Sequence, residues 1–120
     1  MAQKKQPFDL VLTKQASAGS NDIATERVKP GWLWCVQRIA AENQTSPCTD
    51  LRFLVAGGGE EMLAAEQDTP LAATLYWISE PVYITEHRYL IARFTGCTAS
   101  DLLKLYITGW KQQSLMLEDT

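Results

Sequence analysis

Trp32-Leu33-Trp34-Cys35-Val36-Gln37-Arg38-Ile39-Ala40-Ala41-Glu42 is the stretch on which the fold turns. It has the period of two that a strand requires: Trp32, Trp34, Val36 and Arg38 fall on one side, and Leu33, Cys35, Gln37 and Ile39 on the other. Both sides carry apolar groups. A strand of that kind is either central in a covered sheet or bent by a bulge so that its halves use opposite faces. Pro30-Gly31 punctuates the chain before it, and residues 43–50, with Asn, Thr, Ser, Pro and Asp, are loop chemistry. Leu51, Phe53 and Val55 then alternate with Arg52 and Leu54 up to Gly57-Gly58-Gly59, so the two runs read as a hairpin. The triple glycine lacks the Lys-Ser/Thr ending of a phosphate loop and leads into Glu60-Glu61, which would repel an anion. It is read as a turn.

Working outward, residues 1–6 are polar and form an N-terminal arm. Phe8, Leu10 and Leu12 mark a first strand, and residues 14–29 hold only Ile23 and Val28 as larger apolar groups, so they read as a long connection. Residues 60–67 are the one place where a helix competes with a short strand, through Met62, Leu63, Ala64 and Ala65. Asp68-Thr69-Pro70 stops that run. Residues 71–78 read as a buried strand, residues 82–84 as a short one, and Thr85-Glu86-His87-Arg88 as a polar turn. In residues 89–95, Leu90, Ala92 and Phe94 point inward. After a turn at residues 97–101, Leu103, Leu105 and Ile107 alternate with Lys104, Tyr106 and Thr108 into Gly109-Trp110. Ser100 could instead cap a helix, but the β-branched and aromatic finish favours a strand. The expectation is an all-β chain: an antiparallel β-sandwich of about eight strands over residues 7–111, with the jelly roll among its admissible topologies and a C-terminal tail at 112–120.

Composition fits one ordinary domain. At 120 residues the chain buries roughly two-thirds of its unfolded surface, enough for a core without metals or disulfides. The longest apolar run, residues 71–78, is far short of the ~20 residues of a membrane helix, and the start is too short and polar for a signal peptide. The net charge is −3 and the basic residues are scattered, so no basic stripe exists to neutralise phosphates; nucleic acid and membrane are not expected partners. Cys35, Cys48 and Cys97 are an odd set without C-x-x-C spacing and read as small buried hydrophobes in a reducing compartment.

No catalytic motif emerges, and no enzyme activity, cofactor or metal is expected. His87 is the only histidine, placed in a turn and separated from Cys97 by a whole strand. Acid pairs such as Glu60 with Glu61, or Glu80 with Glu86, fall in turns, with nothing to place them in one cleft. The aromatic set holds more information. Trp32, Trp34, Trp77 and Trp110, with Tyr76, Tyr83, Tyr89 and Tyr106, all lie in or beside strands, where they serve as core, as a sugar-binding platform or as a subunit interface. Several strands are apolar on both faces, more than one small core accommodates. The arm, and a tail carrying Leu115-Met116-Leu117, are segments of a kind that gains order on a neighbour. Trp32, Trp34, Tyr106 and Trp110 are the candidate interface or ligand-platform residues.

The run from Arg88 through Tyr106 into Ile107-Thr108-Gly109-Trp110 resembles the C-terminal hairpin of small β-sandwich virion structural proteins of tailed bacteriophages: a strand, a Gly-x-x-x-x-Asp turn (Gly96 to Asp101), and a final strand ending in Gly-aromatic. The strand from Trp34 to Asn43, followed by a Thr-Ser loop, is similar to their central strand. The resemblance spans residues 32 to 110, and Ser100 stands where that turn more usually carries glycine. It implies a capsid decoration (cement) subunit, or an accessory protein of the tail or neck. Such a protein is non-enzymatic, acts as a homo-oligomer on the major capsid or other virion proteins, and is assembled in the host cytoplasm into the virion. The alternative is a carbohydrate-binding module on the same particle, its aromatic platform meeting a surface glycan.

Overall fold

The computed structural model describes residues 5–78 and 80–113. Nine strands follow in order: β1 (Gln6–Gln15), β2 (Gly19–Ala24), β3 (Trp32–Asn43), β4 (Asp50–Gly57), β5 (Glu60–Asp68), β6 (Tyr76–Ile78), β7 (Val82–Ile84), β8 (Tyr89–Cys97) and β9 (Leu102–Gln113). One sheet has the order β1-β9-β3-β6, with β7 also on β3; the other has the order β2-β8-β4-β5, and every pairing is antiparallel. β6 pairs with residues 39–41 of β3 and β7 with residues 34–36, so the two short strands share one edge position end to end. The chain passes between sheets at nearly every connection, and the first and last strands lie side by side. That is the winding of a jelly roll.

The core lies between the sheets. Val36, Ile39, Leu103, Leu105 and Ile107 come from the first sheet, and Leu51, Phe53, Leu90 and Phe94 from the second. Each large side chain taken fully out of water contributes about 2 kcal/mol. β3 is central, but its sheet is open to solvent on the outer face, and it follows the second of the two expectations, the bulge. It is flanked by β9 and by β6 and β7, and its register with β9 shifts between Val36 and Arg38, leaving Gln37 as an extra residue. Before that bulge Trp34 and Val36 face inward; after it the inward set is Ile39, Ala41 and Asn43.

Several expectations are corrected. Residues 14–29 are not one long connection: β1 runs to Gln15 and all of β2 lies within them. An edge strand needs few apolar residues, and here Ile23 and Asn21 face inward, with the Asn21 amide met by Ser17 through N–H to Oδ1 at 3.0 Å and Nδ2 to carbonyl at 2.8 Å. The ambiguous residues 60–67 form β5, fixed by pairing with β4. Of residues 71–78 only Tyr76–Ile78 is strand, and Leu71 and Leu75 are exposed, because Ala73 takes a left-handed turn (φ 54°) that breaks the run. The expected tail begins inside β9, at Gln112 and Gln113; residues 114–120 and residues 1–4 of the arm lie outside the described residues. Gly58 and Gly59, both at positive φ, make the two-residue β4–β5 turn that their sequence predicts.

Candidate functional site

Strand alternation gives each sheet an outer face, and the two outer faces differ. On the β1-β9-β3 sheet the register aligns Val11, Tyr106, Ala40 and Trp77 in a row across β1, β9, β3 and β6. A second row crosses β1, β9, β3 and β7 as Pro7, Trp110, Cys35 and Tyr83. Neighbouring strands are ~4.8 Å apart, so the aromatic rings within a row stand ~10 Å apart, and four residues of strand put ~13 Å between the rows. Trp77 is 58% exposed, Tyr83 64% and Val11 59%, while Tyr106 and Trp110 are half-buried.

Asp9, Arg38, Glu42 and Lys104 bring charge to this face, with Glu42 and Lys104 opposite one another in register. Between the rows lie Asp9, Thr108 and Arg38, and the Arg38 guanidinium sits over the Trp77 ring at 5.2 Å. Tyr106 donates its hydroxyl to Glu42 Oε2 at 2.8 Å. Burial first, and then that bond to Glu42, push the phenol above its ordinary pKa, so it stays a fixed donor.

The outer face of the β2-β8-β4-β5 sheet carries ion pairs beside a small apolar cluster of Leu54, Ala56 and Ile91, with Tyr89 packed against it. Arg93 bonds Asp22 and Glu61, each at 2.8 Å, and Arg52 bonds Asp50 at 3.0 Å and Glu66 at 3.1 Å. The hydrogen bonds that Arg93 donates to Glu61, then to Asp22, hold its guanidinium above its ordinary pKa. Beside them Asp50, Glu66 and Asp68 bring carboxylate oxygens within 4.8 Å of one another. Burial first, then Glu66, push the Asp50 carboxyl up, and Arg52 binds two of the three acids, Asp50 and Glu66.

The four sequence-derived candidates divide. Tyr106 and Trp110 lie on the aromatic face. Trp32 and Trp34 do not: they turn inward, with Trp34 only 3% exposed and tilted against Phe8 at 5.2 Å between ring centres. The reason is that β3 points its first half into the core until the bulge reverses the alternation. Trp32 and Trp34 instead line a cleft of about 220 Å³ at one end of the sandwich, together with Gln6, Glu26, Lys29 and Lys111. Trp77 and Tyr83 are the residues that sequence reasoning missed. Their signal was present for Tyr83, which alternates with the inward Val82 and Ile84, but not for Trp77 inside a run of eight residues without charge. His87 occupies the expected exposed turn, at the opposite end of β8 from Cys97, and Glu86 Oε2 accepts the Gly31 N–H at 2.6 Å.

A scan against protein-family models finds no match, and no curated protein matches in sequence. Solved structures with similar folds include the Drosophila NLP core, described for pentamer formation and histone binding, at 15% identity, with 86% of this chain and 96% of that one covered and a TM-score of 0.46. A CBM4 structure covers 82% of this chain and 78% of its own at 15% identity, TM-score 0.35. A structure of infectious bursal disease virus, Gx strain, covers 100% of this chain and 45% of its own at 8% identity, TM-score 0.36. The chain is a small antiparallel β-sandwich.

Proposed function

We propose that this chain is a non-enzymatic structural subunit of a phage virion, a capsid decoration or cement protein. In this reading it assembles as a homo-oligomer and meets a protein lattice through the aromatic face of the β1-β9-β3 sheet. The observation that carries the reading is the pair of cross-strand rows, Val11-Tyr106-Ala40-Trp77 and Pro7-Trp110-Cys35-Tyr83. Large exposed rings such as Trp77 and Tyr83 are the anchors of a protein contact centre, and the opposite face exposes Arg-acid pairs where this one exposes rings. The resemblance of residues 32–110 to tailed-phage sandwich proteins supplies the kind of lattice.

Light scattering behind a sizing column, over a wide concentration range, tests it. The expected result is a closed oligomer that Trp77→Ser with Tyr83→Ser reduces to a folded monomer, and binding to shells that lack the protein is lost with it. A second reading, a glycan-binding module, uses the same rings, since ~10 Å spacing on a flat sheet suits stacking on sugar faces. A monomer at every concentration, together with a saturable tryptophan fluorescence change on adding an oligosaccharide, would replace the first reading by the second.

A further inference from the structure

The cleft at the end of the sandwich is separate from the aromatic face. Its walls are the Trp32 and Trp34 rings, and Lys29, Lys111, Glu26 and Gln6 supply its polar groups, for a net positive lining in a chain whose overall charge is −3. Lys111 Nζ lies 5.2 Å from the Phe8 ring centre and 5.6 Å from that of Trp34, so a cation is held against the apolar wall. The cavity, about 220 Å³, has room for two branched aliphatic side chains.

The chain carries a segment of matching chemistry. Beyond Gln113 come Ser114, then Leu115-Met116-Leu117, then Glu118-Asp119, three apolar side chains followed by two carboxylates. Its point of departure is also at the cleft, because Gln113 pairs with Trp32 and Lys111 with Trp34 at the end of β9. We propose that the cleft receives residues 115–119 of a second copy of this chain, with Leu115 and Leu117, which share one side of an extended segment, against Trp32 and the edge of the nearly buried Trp34, and the acids at Lys29 and Lys111. The inference rests on the oligomeric reading above and names one of its contacts.

Connectivity decides between a second copy and the same copy. β9 is extended through Gln113 and leads out of the end of the sandwich. To enter its own cleft the chain would have to reverse within residues 114 and 115, which spends the first apolar side chain on the turn. A segment arriving from a neighbour presents both Leu115 and Leu117, the two side chains the cleft has room for. Residue 117 lies at most ~13 Å beyond Gln113 at ~3.3 Å per residue, against a long molecular axis of 51 Å, so the exchange brings the same ends of two copies together.

Cross-linking of the full chain tests this. Gln6→Cys and Met116→Cys are placed together in a Cys35→Ser background and oxidised with diamide at micromolar protein. The expected product is a covalent dimer or longer ladder. Glu118→Lys with Asp119→Lys reduces it about tenfold, and adding Lys111→Glu restores it. Moving the receiving cysteine to exposed Thr95 gives no ladder. A monomer with both introduced thiols consumed places the tail in its own cleft and overturns the proposal. Free thiols at both positions, or an equal ladder from the Thr95 site, also overturn it. If the wild-type chain is still an oligomer by light scattering, the aromatic-face reading survives that failure; a wild-type monomer overturns both.

Discussion

Asp101 is 1% exposed and accepts three hydrogen bonds: Asn43 Nδ2 at 2.9 Å, Ser46 Oγ at 2.8 Å and the Thr98 N–H at 2.9 Å. Burial alone would push its carboxyl up, but the bonds from Asn43, Ser46 and Thr98 outweigh burial and hold it below the ordinary range. A depressed folded pKa stabilises the fold above the unfolded value of about 3.9, and the contribution is lost as pH falls through the folded pKa. Asp101→Ala should therefore cost about 3 kcal/mol at neutral pH, read from urea midpoints, and should flatten the acid limb of the stability profile. An unchanged midpoint would show the network to be incidental. One position earlier, Ser100 has φ 73°, the left-handed region where glycine is free of strain. Ser100→Gly should raise stability by about 0.5–1 kcal/mol after the entropy cost of glycine, and a lower midpoint would refute that. The sequence already marked Ser100 as standing where glycine is usual. It could not show that Asn43, which opens an Asn-x-Thr sequon, is buried with its amide committed to Asp101 and to the Thr45 and Ser46 N–H groups.

At the scale of elements, β3 and β9 carry the first sheet, and their meeting point is the bulge at Gln37. Gly109 sits opposite Val36 there, and a Cβ on it would lie 2.2 Å from the Cys35 carbonyl oxygen and 2.9 Å from Val36 Cα, both backbone. Gly109→Ala must push the strands apart where they change register. A loss of about 2–3 kcal/mol is expected, read as a lower denaturant midpoint at unchanged m-value. If the variant kept wild-type stability, the close approach would be wrong. Strands with period-two patterns over at least five residues, such as residues 32–42, 51–55 and 103–108, were legible because burial of one face writes the alternation into the sequence. β2 and β6 were not, because an edge strand is specified by its partner's hydrogen bonds more than by its own side chains. The same limit hid half of the site. Tyr106 and Trp110 share a face by simple counting, but Trp77 joins them only through a register that brings β6 onto β3, and the two-sided apolar pattern that admits a bulge in β3 does not say which half turns Trp32 and Trp34 inward.

For the whole molecule, the two outer faces set the functional argument: one is laced with Arg-acid pairs and the other carries aromatic rows. The three cysteines provide a native probe of which face is covered. Cys48 and Cys97 are buried with their sulfurs 3.8 Å apart, which shields both from a reagent, and burial first, then Cys48, push the Cys97 thiol up to about 12. Cys35 is half-buried and lies in the row between Trp110 and Tyr83, on the aromatic face. In the native chain one thiol of three should react with a maleimide at pH 7.5. If copies or a lattice cover this face, the Cys35 rate constant falls as protein concentration rises through the assembly range, by tenfold or more. Trp77→Glu places a charge in the other row without touching Cys35, and it should hold the rate at its dilute value at every concentration. A Cys35 rate independent of concentration in a wild-type chain that is oligomeric by light scattering would put the subunit contact elsewhere and return the aromatic rows to a ligand.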